Sequence, residues 1–221
     1  MNVHQFHPQV AFGDAASNQV LSLQQLLRSM GYASEVFCAQ QPFVFEGKTH
    51  PLADYERYAS PENVLLLHYT IHYSERVMSW LRRLPDRKVL VYHNITPHHY
   101  FAGVNMTLAE AAIRGRRQLP NLAEICDAGW GVSAFNCREL EEHGWSNLSV
   151  MPIVFDPERY DVRPKRAIVN KYQDGRTNVL FVGRMAPNKR IEDLVLTFFY
   201  LKRYVRPDAR LLLVGAHGGM E

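Results

Sequence analysis

The segment Val182-Gly183-Arg184-Met185-Ala186-Pro187-Asn188-Lys189 follows an apolar run and precedes a helical period, so it sets two cations beside a helix amino terminus. A permanently charged, forked guanidinium with an ammonium nearby suits a diphosphate, above all one that departs as a leaving group. The segment is neither G-x4-GK[ST] nor GxGxxG. Read blandly, Arg184 and Lys189 are solvated surface cations.

Two other segments occupy the same kind of position, after a strand and before a helix, where ligands of open parallel sheets bind. One is His93-Asn-Ile-Thr-Pro-His-His-Tyr100, in which His93 ends an apolar run. An imidazole there can donate or accept a hydrogen bond to a ligand, or simply cap the strand. Three histidines in seven residues also raise a metal reading, but H-x4-HH lies on no helix face and lacks a Glu or Cys beside it. His68 and His72 meet the same objection. The other segment is Phe12-Gly-Asp-Ala-Ala-Ser-Asn18. Gly13 would let backbone approach a phosphate, with Asp14 at the start of the helix, or Gly13 is only a turn. Ser133, Cys126 and Cys137 have no base partner by spacing, so no nucleophilic triad is proposed.

These segments need elements to hold them. Asn2–Phe6 reads as a first strand, followed by a helix with Val20, Leu23, Leu27 and Met30 on one face and Gly31 at its end. Strands are expected at Glu35–Cys38, Asn63–His68, Lys88–His93, Ala128–Val132 and Leu148–Ile153. Residues 40–62 read as a loop excursion. Val77, Trp80, Leu81 and Leu84 mark a helix closed by Pro85, and Thr107-Leu-Ala-Glu110 fits a capping box opening a Pro-interrupted helix to about residue 126. A further helix ends at Gly144.

The pattern is α/β: an amino-terminal Rossmann-like domain over 1–154, a linker over 155–176 rich in Pro, Asp, Arg and Lys, and the start of a second such domain over 177–221. That last part is one strand–helix–strand unit, from Thr177–Val182 through Ile191, Leu194, Val195 and Phe198 to Arg210–Val214. Its strands are apolar throughout, as if more sheet and more helices should cover them, and the domain is expected to be incomplete.

Composition narrows the classes. With 221 residues, 47% of them hydrophobic, the chain can bury a core and is not disordered. Its net charge of +3 is too slight for a dedicated nucleic-acid binder. Three separated cysteines imply neither a disulfide framework nor a CxxC zinc site. No apolar run approaches the ~20 residues of a membrane span, and no signal peptide opens the chain. The reading is cytoplasmic. A basic face from Arg82, Arg83, Arg87, Lys88, Arg114, Arg116 and Arg117 leaves peripheral contact with the inner face of a membrane open.

Asn178-Val-Leu-Phe-Val-Gly-Arg-Met-Ala-Pro-Asn-Lys-Arg-Ile-Glu-Asp-Leu194, running on to Pro207–Gly215, resembles the opening of the carboxyl-terminal domain of GT-B glycosyltransferases of the retaining family-4 type. Gly13-Asp14, His93-Asn94, Val132–Leu140 and Met151–Asp156, the last resembling the interdomain crossing, extend the resemblance over essentially the whole chain. It implies that Gly183, Arg184 and Lys189 bind a donor diphosphate and stabilise the departing nucleotide. His93 would be catalytic, close to the donor sugar, and Gly13 and Asp14 would face donor and acceptor from across the cleft. The co-substrate implied is a nucleotide diphosphate sugar, with no metal at the phosphates and no other cofactor. The acceptor would be a hydroxyl of a polysaccharide or lipid-linked glycan, and the sugar would keep its anomeric configuration. The family's acidic E-x7-E segment should lie beyond Gly215, so little or no transfer is expected from these 221 residues alone. The alternatives are a non-catalytic sugar-nucleotide or protein-binding module and a GT-B sugar-nucleotide epimerase.

Overall fold

The computed structural model describes residues 1–11, 14–40, 47–155, 157–158 and 161–215. Contacts divide the chain into two units, Met1–Ile95 with Glu110–Asp156, and Thr96–Ala109 with Pro157–Glu221.

Among the described residues the first unit carries seven strands: β1 (Val3–Gln9), β2 (Val36–Gln40), β3 (His50–Pro51), β4 (Val64–Tyr69), β5 (Arg87–Tyr92), β6 (Ala128–Gly131) and β7 (Leu148–Val150). They lie in the order β3-β2-β1-β4-β5-β6-β7, and every pair is parallel. The chain builds outward from β1 to β3 and then returns to the other side of β1. The order therefore reverses between β1 and β4, and the loops leaving their carboxyl ends diverge to leave a crevice. The α/β reading holds, and the fully apolar runs are the central strands because helices must cover both their faces.

Side chains alternate across the sheet. Phe6, Leu65, Leu67, Leu90 and Tyr92 face one side, where they pack on α2 (Glu75–Arg83), α3 (Met106–Ala123), α4 (Ala134–Glu142) and Trp145. Val3, Leu66, Val89 and Val91 face the other, under Leu23 and Leu27 of α1 (Ala15–Ser29). Leu65, Leu67 and Leu90 are fully buried, each contributing about 1.5–3 kcal/mol relative to exposure. Between α1 and the sheet lies an apolar trough of about 420 Å³, lined by Leu26, Met30, Val64, Val89 and Trp130 among others.

The helix boundaries follow local chemistry. Gly31 ends α1 at φ 89°, with its N–H on the Arg28 carbonyl and that of Tyr32 on Leu27. Ser74 and Ser133 cap α2 and α4. Four expectations are corrected. The Leu108 N–H donates to Asn105 Oδ1 at 3.0 Å, so Asn105 and not Thr107 caps α3, because the helix starts one residue before the expected cap. The 40–62 excursion contains β3 and a 3₁₀ turn over Leu52–Arg57, held by the buried Tyr55, whose hydroxyl donates to Asp86 Oδ1 at 2.7 Å. The last strand stops at Val150 rather than Ile153. Two members of the basic face are not surface cations: Lys88 is buried, its Nζ donating to the carbonyls of Leu84 and Asp86, and Arg116 pairs with Glu139.

In the second unit, β8 (Asn178–Val182) and β9 (Arg210–Val214) pair in parallel and are connected through α6 (Ile191–Tyr204). The 155–176 stretch includes the short helix α5 (Arg166–Tyr172), and the Arg210 guanidinium lies 5.3 Å above the Tyr172 ring. Leu180, Val182, Phe199, Tyr200 and Tyr204 are all more than half exposed. Gly215 lies where a Cβ would come within 1.8 Å of the Gly183 carbonyl oxygen, so only glycine fits there.

Candidate active site

At the carboxyl ends of β1, β4 and β5 the strand alternation that builds the core also brings polar groups together. Gln5 and His7 of β1, His68 of β4 and His93, one residue past β5, project on the same face as Val3, Leu66 and Val91. Gln5 Nε2 donates to the Val20 carbonyl at 3.2 Å, Gln5 Oε1 lies 2.8 Å from His68 Nε2, and His68 Nδ1 lies 2.8 Å from His93 Nε2. The two imidazoles stack at 5.1 Å. His7 completes the cluster: its ring is 6.1 Å from that of His68, its Nδ1 accepts the Gln9 N–H, and its buried Nε2 has no partner among the described residues.

This environment disfavours charge. Burial holds the His68 pKa well below 6.5, and His93 and His7 depress it further. Burial, and then His7, lowers that of His93 to about 4. His7 is lowered by burial against the opposing charge of Asp14. All three are therefore neutral near neutrality.

His93 is half-buried, and the turn that presents it is anchored from behind. Asn94 takes φ 77°, a left-handed conformation that asparagine tolerates. The Ile95 N–H donates to Tyr92 Oη, the Tyr92 hydroxyl donates to Glu139 Oε2 at 2.7 Å, and Arg116 Nε donates to Glu139 Oε1 at 2.8 Å while its Nη2 reaches the Ile95 carbonyl. An ion pair and two hydrogen bonds thus fix the backbone just beyond His93.

Asp14 caps α1. Its Oδ2 accepts from Ser17 N–H at 2.9 Å and Ser17 Oγ–H at 2.8 Å. Gly13 lies outside the described residues.

Arg184 and Lys189 are exposed in the turn between β8 and α6. Among the described residues neither side chain has an ion-pair or hydrogen-bond partner, whereas neighbouring Arg190 pairs with Asp193 at 2.5 Å. The Gly183 N–H donates to the Val214 carbonyl at 2.9 Å, so its backbone donor is already engaged. The structure thus holds His93 and Asp14 on one unit and Arg184 and Lys189 on the other.

No family model matches the chain, and no curated protein is found similar to it. Solved structures do match its fold. A sucrose-phosphate synthase from Thermosynechococcus elongatus superposes with a TM-score of 0.68 at 15% identity, over 100% of this chain and 63% of that one. A trehalose-6-phosphate synthase from E. coli bound with UDP-2-fluoro glucose gives 0.62 at 10% identity, over 99% and 65%. An alpha-glucosyltransferase in complex with UDP-glucose and DNA gives 0.61 at 12% identity, over 96% and 56%. The fold is that of GT-B glycosyltransferases. At these identities the likeness carries architecture alone, and the chain spans under two thirds of the length of each.

Gln5, His7 and the bonded role of His68 escaped the sequence reading. The available signal was the alternation of β1, which puts Gln5 and His7 on the face of Val3, and a histidine on the matching face of β4. Among the described residues, no three His, Cys, Asp or Glu side chains are grouped to hold a metal ion. Burial raises the thiols of Cys38 to about 11 and Cys126 to about 12, so neither is an activated nucleophile. Among the described residues no helix is long and apolar enough to cross a membrane.

Proposed function

We propose that this chain is part of a nucleotide-sugar glycosyltransferase that moves a hexosyl group from a nucleoside diphosphate to a hydroxyl of a glycan or lipid-linked acceptor, with retention, on the family-4 pattern. Residues 1–154 supply the acceptor side and 177–221 begin the donor side, with 155–176 between them. The observation that carries this reading is the pair Arg184 and Lys189, exposed and without side-chain partners among the described residues, in the strand-to-helix turn of a chain with the GT-B fold.

A departing nucleoside diphosphate accumulates negative charge on its β-phosphate. Two fixed cations offset that charge without reorganisation at the moment of bond cleavage. No metal at the phosphates is needed in this scheme. His93, neutral and held from behind, meets the sugar. Asp14 borders the same end of the sheet, and in this proposal it faces donor and acceptor together with Gly13. Solved structures of this fold with UDP-glucose and UDP-2-fluoro glucose support a uridine donor. The chemistry fits the cytoplasmic side of a membrane, where the exposed Arg82, Arg83, Arg87 and Arg117 would favour anionic lipid.

Calorimetric titration with uridine, UDP and UDP-glucose tests the reading. Affinity is expected to rise sharply from uridine to UDP and to fall roughly ten- to a hundredfold in Arg184→Ala or Lys189→Ala. Equal binding of uridine and UDP, or variants that bind UDP as well as the parent does, would refute it.

The exposed apolar side chains of α6 and β8 favour one other reading, a protein-binding module. Light scattering separates the two, since a defined oligomer or stable 1:1 complex without nucleotide binding supports the module.

A further inference from the structure

Hydrogen bonds from Val20 to His93 form a directed chain whose polarity can be read from its fixed end. The Val20 carbonyl only accepts, so the group facing it on Gln5 is the NH2, and the other face of the amide presents Oε1 to His68. That oxygen also only accepts, so His68 carries its proton on Nε2. A neutral His68 then has a bare lone pair on Nδ1, and the contact at 2.8 Å requires the proton to come from His93 Nε2. His93 is left with an unprotonated Nδ1, which has no partner among the described residues and is not one of the buried atoms left unsatisfied.

We propose that Gln5 and His68 are positioning residues that hold His93 as its Nε2–H tautomer, leaving Nδ1 as an acceptor for a hydroxyl of the bound sugar. The ligand half of this inference rests on the donor reading above; the tautomer half does not.

The reverse polarity has a cost that can be named. Turning the amide would set Gln5 Oε1 against the Val20 carbonyl, and a proton on both nitrogens of His68 would reverse its bond to His93. Burial beside two other imidazoles opposes the charge that the second proton would bring. The consequence is selectivity. A lone pair at Nδ1 welcomes an O–H and repels a carboxylate or phosphate oxygen at the same place. A neutral hydroxylated sugar is therefore matched there and an acidic one is not.

The test uses the full chain labelled with ¹⁵N-histidine, read by long-range ¹H–¹⁵N imidazole correlations near neutrality, with His68→Gln and His93→Gln used only to assign peaks. Both His68 and His93 are expected as Nε2–H tautomers without ligand. Gln5→Leu should give mixed tautomers at both rings, while the tautomers of the unaltered chain are a readout that does not depend on how that variant folds. UDP-glucose, but not UDP, should move the His93 Nδ1 resonance. A wild-type His93 protonated on Nδ1, or a tautomer pattern untouched by Gln5→Leu, would overturn the relay. Saturable UDP-glucose binding that leaves Nδ1 unmoved would overturn the ligand contact. Correct tautomers with no UDP-glucose binding at all would support the relay and defeat the donor reading instead.

Discussion

Arg184, Lys189 and Arg190 lie within seven residues, yet their surroundings differ. The carboxylate of Asp193 engages Arg190, while the other two side chains have no such neighbour among the described residues. The proposed diphosphate grip therefore makes a contrast testable: Arg190→Ala should leave UDP affinity nearly unchanged under titration conditions in which Arg184→Ala weakens it at least tenfold. In the same proposal His93 meets the other half of the ligand. Replacing His93 by Ala should lower affinity for UDP-glucose toward that for UDP and leave UDP itself unaffected, as measured by calorimetry with both. The Gly-Arg-x4-Lys run was legible because its residues are contiguous. The relay was not, because Gln5, His68 and His93 meet only through strand register, with 63 and 25 positions separating the bonded pairs.

At the scale of elements, Asp14 and Gly131 are each tied to a named contact. As the cap of α1, Asp14 satisfies one of the helix's free N–H groups, so Asp14→Ala should cost about 1 kcal/mol of stability in urea titration, and Asp14→Ser should recover most of it. A loss of donor affinity in the Ser variant would add a ligand contact to the capping role. Gly131 sits at the end of β6, where a Cβ would lie 2.6 Å from the Cys137 backbone nitrogen. The obstacle is helix backbone, which cannot swing aside as a side chain can. Gly131→Ala should push α4 away from the sheet and cost about 1–3 kcal/mol, seen as a lower thermal midpoint. The central strands were legible from Val64–Leu67 and Val89–Val91, which are apolar without a break. β3 was not, since two residues contain no period. The 3₁₀ turn was missed because its one buried anchor, Tyr55, sits among polar neighbours.

For the molecule as a whole, four histidines of the first unit are held below their ordinary value: His4, His7, His68 and His93. Burial leads in every case. Asp86 and Glu35 oppose it at His4, and Asp14 opposes it at His7 and His93. As pH falls below 6.5 the unfolded chain takes up protons that the folded chain refuses, so unfolding becomes more favourable. The contribution is fully present above 6.5 and is lost as pH falls through the folded value, which is about 4 for His93. Urea midpoints measured across that window should decline on acidification, and His68→Gln should flatten the decline. A midpoint independent of pH would mean that these rings are open to water. The parallel α/β class of the first unit was legible from alternating runs, whereas its strand order came only with the structure. The exposed apolar faces of the second were foreseen from strands apolar on both sides.

The position of β1 governs how this chain can be assembled. Val3–Gln9 precedes β2 to β7 along the chain, yet in the finished sheet it lies third of seven, between β2 and β4. Its second neighbour ends at Tyr69, so a nascent chain must carry a central strand paired on one edge at most until some sixty further residues have emerged. Val3 and Phe6 must wait that long for their full packing, and Gln5 for its bond to His68. The strand that emerges ahead of its sheet partners is thus among the last to have its folding completed.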